Sequence, residues 1–232
     1  ESNARKLLMD SVLIAQRAVD EFLGQPGQAK TIDRPLVAAS IGPYGAYLAD
    51  GSEYRGNYGI SRSQLREFHA QRLDTICQAQ PDLLACETIP STEEVEVLRN
   101  LLEESTDAIA WVSFSCVDGE HICDGTPLRE CAALLENCPQ VFAVGVNCTA
   151  PQHIGSLMDN IRAGAPSKRI VIYPNSGQFY DVDSRTWTGR SSAEDFGDLA
   201  KNWVKGGATL VGGCCQTGPD HIRAVRRAIY GL

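Results

Sequence analysis

Apolar and polar positions along this chain follow first one rhythm and then another. Residues 4 to 23 place Leu8, Val12, Ala15, Val19 and Phe22 on one side at helical spacing. Gly24-Gln25-Pro26-Gly27 stops that helix. Six short apolar runs follow, at 36–40, 83–86, 108–114, 141–146, 170–173 and 208–211, each bounded by turn residues. They are nearly continuous in apolar character rather than alternating, which is the pattern of strands covered on both faces. Helical patterns separate them. Ser61 with Gln64 and Ser91 with Glu94 fit the capping box, and Ser192 with Asp195 is a weaker version. Thr126-Pro127 sets a cap residue before a proline at a first helical position. The order predicts one helix and then strand and helix repeated six times, a parallel sheet with right-handed crossovers. No linker or composition shift divides the chain, so residues 1–232 are expected to form one domain.

The residues just past each strand distinguish an open sheet from a barrel. They are Ser40-Ile41-Gly42-Pro43, Glu87-Thr88, Ser115-Cys116, Asn147-Cys148, Pro174-Asn175-Ser176 and Cys214-Cys215. In a barrel such ends converge on one mouth; in an open sheet they spread along an edge. The expected class is α/β of the (β/α)8 type, here a partial barrel of six parallel strands. No Gly-x-Gly-x-x-Gly follows the first strand, so a dinucleotide site has no support.

Composition narrows the function. The 232 residues are 43% hydrophobic and 22% charged, ordinary for a globular protein. A net charge of −8 argues against a nucleic-acid partner. No apolar run is long enough to span a bilayer, and no signal peptide opens the chain. Because it opens on Glu1, a preceding segment is expected in the natural protein. The nine cysteines, an odd count lying in apolar strands and helices, point to free thiols in a reducing, cytoplasmic compartment.

Three of those cysteines carry the candidate chemistry. Cys148 ends the fourth predicted strand; Cys214 and Cys215 end the sixth, after Gly212-Gly213. Three thiolates with an open fourth position make a catalytic zinc site. The glycines would give the backbone freedom that adjacent ligands need. The alternative is that these are small core residues at strand ends. Cys77, Cys86, Cys116, Cys123, Cys131 and Cys138 are read as packing residues, and His69, His153 and His221 as surface or capping residues. Glu93-Glu94-Val95-Glu96 is read as a solvated helix face.

The segments Gly145-Val146-Asn147-Cys148, Gly212-Gly213-Cys214-Cys215 with Pro219 and His221-Ile222-Arg223, and Glu87-Thr88-Ile89-Pro90 together resemble the homocysteine S-methyltransferase family. Gly42-Pro43-Tyr44-Gly45, the run 48–54, and Tyr173-Pro174-Asn175-Ser176-Gly177 with Trp187 resemble its S-methylmethionine-dependent branch. The resemblance implies a (β/α)8 barrel with Zn2+ at the C-terminal mouth. The six strands here would be the third to the eighth, without the first two βα units and their Asp-Gly-Gly turn. It implies methyl transfer from S-methylmethionine, or from S-adenosylmethionine, to the sulfur of homocysteine, giving methionine. Cys148, Cys214 and Cys215 would be the ligands. Glu87 would bind the amino group of homocysteine, or serve only the following helix dipole. Asn147 would orient Cys148 or satisfy turn backbone. Ser176 and Ser40 are pocket candidates. Two other functions stay open. One is a catalytically silent partial barrel. The other is a phosphate-binding barrel aldolase or isomerase using Gly177 and Gly212-Gly213, although Lys168, Lys201 and Lys205 do not lie on strands.

Overall fold

A computed structural model describes residues 2–25, 33–104, 108–181, 186–188 and 192–231. The elements run α1 (Ser2–Leu23), β1 (Ala38–Ile41), α2 (Tyr44–Leu48), a 3-10 turn (Ser52–Tyr54), α3 (Arg62–Cys77), β2 (Leu83–Ile89), α4 (Thr92–Glu104), β3 (Ala110–Phe114), α5 (Leu128–Ala133) and β4 (Val141–Asn147). A second 3-10 turn (Pro151–His153), α6 (Ile154–Gly164), β5 (Arg169–Tyr173), β6 (Phe179–Asp181), β7 (Thr186–Thr188), α7 (Ala193–Lys205), β8 (Leu210–Val211) and α8 (Pro219–Tyr230) follow. The six apolar runs all become strands of one sheet, ordered β1-β2-β3-β4-β5-β8, and every neighbouring pair is parallel. This is a half-barrel of six strands, in the class the strand ends predicted.

Burial on both faces explains the continuous apolar character of the strands. Ile41, Cys86, Val112, Phe114, Val144, Val146 and Ile172 are fully enclosed, in one core with Leu98, Leu102, Ile154 and Phe196 of the helices. The strands of a parallel sheet end on the same side, so their C-terminal ends bring the polar residues together. One close approach fixes the middle of the sheet. A Cβ at Gly145 on β4 would overlap the backbone oxygen of Val171 on β5. Only glycine allows the register Gly145↔Val171.

Several local expectations are met and others are corrected. Ser61 and Gln64 form both halves of a capping box at α3, and Ser192 Oγ accepts from Asp195 N at 3.0 Å. Ser91 makes half a box, accepting from Glu94 N at 3.4 Å. Pro127 precedes α5 rather than opening it, and Thr126 is bonded by the Thr92 hydroxyl instead of capping. The predicted stop at Pro26-Gly27 lies outside the described residues. The antiparallel pair β6–β7 was not foreseen.

Two predicted surface groups are buried. Glu94 and His69 both have no exposed side-chain area. The Glu94 carboxylate takes hydrogen bonds from Tyr44 N (2.7 Å) and Tyr58 OH (2.6 Å) and lies 2.7 Å from His69 Nε2. Three polar partners offset the cost of removing a carboxyl from water. Two of them tether both ends of the 44–58 segment to α4, and the third joins α3 to the same carboxylate.

Candidate active site

The site begins with an irregularity in β2. Its register with β3 shifts between Cys86 and Ile89, and Thr88 there has φ +60°. A β-branched residue in the left-handed region is strained and persists only where its surroundings hold it. Asn147, at the end of β4 and 1% exposed, does the holding. Thr88 N donates to Asn147 Oδ1 and Asn147 Nδ2 donates to Thr88 Oγ1, both at 2.7 Å. Ser113 Oγ also donates to Asn147 Oδ1 at 2.9 Å.

The bulge re-aims the neighbouring residue. Glu87 Oε1 accepts from Ser40 Oγ at 2.6 Å and Oε2 from the Tyr173 hydroxyl at 3.0 Å. The Tyr173 hydroxyl in turn accepts from Trp111 Nε1 at 2.9 Å and lies 2.6 Å from Ser113 Oγ. Burial, then the Glu87 charge, push the Tyr173 pKa up, so it stays a neutral donor. Tyr173, Trp111 and Ser113 were missed as functional candidates, although Tyr173 sits at a strand end like the residues that were chosen.

The three predicted cysteines meet. Cys148 Sγ lies 2.8 Å from Cys214 Sγ and 3.6 Å from Cys215 Sγ, and all three sulfurs fall within 4.8 Å of one another. Cys148 is in the left-handed region, φ +48°, which turns it away from the strand direction. The doublet is fixed through backbone. Cys214 N donates to Pro174 O at 2.8 Å, Ser176 N to Cys215 O at 3.1 Å and Thr217 N to Cys214 O at 3.2 Å. Ser176, 3% exposed, therefore braces the doublet by its main chain. The glycine expectation is corrected: Gly212 and Gly213 have no left-handed backbone. The left-handed residue is Gln216, φ +62°. What Gly213 supplies is space, since a Cβ there would overlap the Thr217 side chain. Asn147 Nδ2 reaches Cys214 Sγ at 3.9 Å, linking the bulge to the sulfurs.

Crowding sets the charge of the cluster. Hydrogen bonds from Cys148 and Cys214 hold the Cys215 thiol down to about 3. Cys148, donating to both neighbours and partly buried, is pushed well above the thiol range. Cys214 is lowered by Cys148 but raised more by Cys215 and burial together, and lies high. Removing the protons from all three sulfurs would crowd like charges together, which a bound cation offsets. The donor set fits zinc. Tetrahedral ligands at about 2.3 Å from the ion sit about 3.8 Å apart, and small side-chain movements reach that spacing. Among the described residues this is the only group of three metal-binding side chains so placed. Cys86, Cys131 and Cys138 pack in the core as expected.

The family model described as homocysteine S-methyltransferase matches residues 1–229. The chain belongs to the homocysteine S-methyltransferase family, a family of enzymes. It is 48% identical to homocysteine S-methyltransferase YbgG of Bacillus subtilis, over 97% of this chain and 71% of that protein. It is 44% identical to homocysteine S-methyltransferase of Escherichia coli, over 97% and 72%. Among solved structures it is similar to the homocysteine methyltransferase MmuM from Escherichia coli. For the oxidised form the TM-score is 0.84 at 40% identity, covering 97% of this chain and 71% of that one. For the metallated form the TM-score is 0.83 at the same identity and coverage. No helix among the described residues is long and apolar enough to cross a membrane.

Proposed function

We propose that this chain transfers a methyl group from a sulfonium donor to homocysteine, and that Cys148, Cys214 and Cys215 hold zinc for that purpose. The observation that carries the reading is the meeting of three sulfurs from two strand ends within 4.8 Å. Zinc, when bound there, supplies a Lewis acid that takes the substrate sulfur as a thiolate at neutral pH. The protein's own residues do the rest. Glu87, held between Ser40 and Tyr173, takes the ammonium of homocysteine by a charge-assisted hydrogen bond. Asn147 keeps the Thr88 bulge closed, so that Glu87 and Cys214 stay at a fixed separation. Ser176 and Pro174 brace the doublet from β5. The acceptor sulfur forms a bond to the methyl carbon with its lone pair. The carbon–sulfonium bond breaks, and its electron pair leaves on the donor as a neutral thioether. No proton donor to the leaving group is needed, because the sulfonium departs as an uncharged thioether.

S-methylmethionine is the proposed donor, with S-adenosylmethionine as the alternative. Residues 1–232 are proposed to act as one homocysteine-binding unit. The nine free cysteines support a reducing, cytoplasmic setting. The phosphate-barrel alternative gains no lysine from Lys168, whose Nζ is bonded to Cys138 O at 2.8 Å.

The test is methionine formation by the zinc-loaded chain from homocysteine and either donor, with and without a chelator. Turnover lost on chelation and restored by zinc is expected. Full zinc with no turnover from either donor would favour the silent barrel. Glu87→Gln is expected to raise the KM for homocysteine about 10- to 100-fold, the loss of one charged hydrogen bond, with zinc content unchanged. Steady-state kinetics beside metal analysis checks this; an unaltered KM would remove Glu87 from substrate binding.

A further inference from the structure

Glu53 and Tyr54 lie beside this site with nothing assigned to them. The 3-10 turn that carries them is tightly built. Asp50 Oδ1 accepts from Ser52 N at 2.9 Å and also from the Ser52 hydroxyl. Ser115, 1% exposed at the end of β3, donates from Oγ to Glu53 O at 3.2 Å, and its backbone N donates to Ile89 O at 3.3 Å. Gly45 packs so closely that a Cβ there would overlap Glu53 N. The turn is therefore fixed against the ends of β2 and β3, next to the bulge that aims Glu87.

Two features of this rigid turn ask for a ligand. Glu53 Oε2 is buried and has no hydrogen-bond partner among the described residues. Two other carboxylates described above are satisfied: Glu87 takes two donors and Glu94 has three polar partners. A buried carboxylate oxygen without a donor is costly and calls for an explanation. The second feature is Tyr54, 41% exposed although its phenol stands within electrostatic reach of Cys148, Cys215 and Cys214. An exposed aromatic ring next to an unpaired carboxylate is the chemistry that receives an organic cation.

We propose that Glu53 and Tyr54 form the subsite for the sulfonium donor, Glu53 pairing with its positive charge and Tyr54 offering its ring to the sulfonium. This rests on the methyl-transfer reading above. Each substrate brings a cationic group to such a site, homocysteine its ammonium and the donor its sulfonium. The ammonium of homocysteine is served by Glu87, which leaves the unpartnered Glu53 oxygen for the sulfonium. Methyl transfer removes the donor's sulfonium charge, so the subsite holds the substrate more tightly than the thioether product. Its effect falls on donor binding rather than on the bond-breaking step, and so on KM more than on kcat.

The experiment measures S-methylmethionine and homocysteine binding separately, by calorimetry on the full zinc-loaded chain, with donor KM and kcat alongside. Glu53→Gln is expected to weaken S-methylmethionine binding at least about 10-fold, with kcat changed less than about threefold. Tyr54→Leu is expected to weaken it about 3- to 30-fold, and Tyr54→Phe, which keeps the ring, to recover most of that loss. Homocysteine affinity and zinc content should stay at the unmutated level in all three. Donor affinity unchanged in Glu53→Gln, or homocysteine affinity falling in step with it, would overturn the subsite. An unmutated chain that binds homocysteine and zinc but no sulfonium would also overturn it, while the acceptor site stood. Failure to bind zinc and homocysteine at all would instead remove the methyl-transfer reading, and the subsite with it.

Discussion

Replacing Cys214 with serine is expected to strip zinc from the chain while leaving it folded. The side chain contributes the sulfur nearest to Cys148, at 2.8 Å, and accepts from Asn147 Nδ2. Its backbone is held separately by Pro174 O and Thr217 N, so the turn survives the change. A serine hydroxyl does not ionise near neutral pH, and the two remaining thiolates leave the ion under-coordinated. Because metal affinity here depends on deprotonated ligands, zinc should fall from near one per chain to below about 0.1 after gel filtration against a chelator. Methionine formation should fall at least about 10³-fold, since the metal supplies several kcal/mol of stabilisation in such reactions. Cys148→Ser should behave alike, having lost the one ligand that comes from the other strand. Metal analysis beside circular dichroism checks both variants, and near-stoichiometric zinc in either contradicts the ligand assignment.

The second large effect is expected at Gly145, which touches no substrate. An alanine methyl there would overlap the Val171 carbonyl oxygen and lie 2.5 Å from Val171 Cγ1. The oxygen belongs to the paired strand and cannot move without shifting β5, which carries Tyr173. Overpacking at a sheet centre costs about 3 kcal/mol, a fall of roughly 150-fold in the folding equilibrium. Urea unfolding of Gly145→Ala should show the lower midpoint, or the variant should accumulate as insoluble protein. Gly212→Ala is the control. Its nearest neighbour would be Tyr173 Cβ at 3.5 Å, an ordinary contact, and its backbone is not left-handed. It should lose less than about 1 kcal/mol. If both variants unfold alike, close approach is not what makes Gly145 necessary.

What could be read along the chain was whatever is local or repeats. The strands announced themselves because both faces are buried, and the meeting of Cys148 with Cys214 and Cys215 followed from parallel strands ending on one side. Pairings between distant segments left no such mark. Glu94 looked solvated in the run Glu93-Glu94-Val95-Glu96 because its partners, Tyr44, Tyr58 and His69, come from other elements. The bulge at Thr88 is invisible without Asn147 from β4, 59 residues away. Tyr173 reads as the last apolar residue of a strand until its hydroxyl is seen between Trp111 and Glu87. The Gly-Gly pair misled in another way: glycine signals either a left-handed turn or close packing, and only the backbone angles and neighbours separate the two.

X-ray absorption at the zinc edge tests the central claim most directly. The zinc-loaded chain should show three sulfur ligands at about 2.3 Å and one lighter ligand, and homocysteine should convert this to four sulfurs. A resting shell with fewer than three sulfurs, or a shell unchanged by saturating homocysteine, would contradict it.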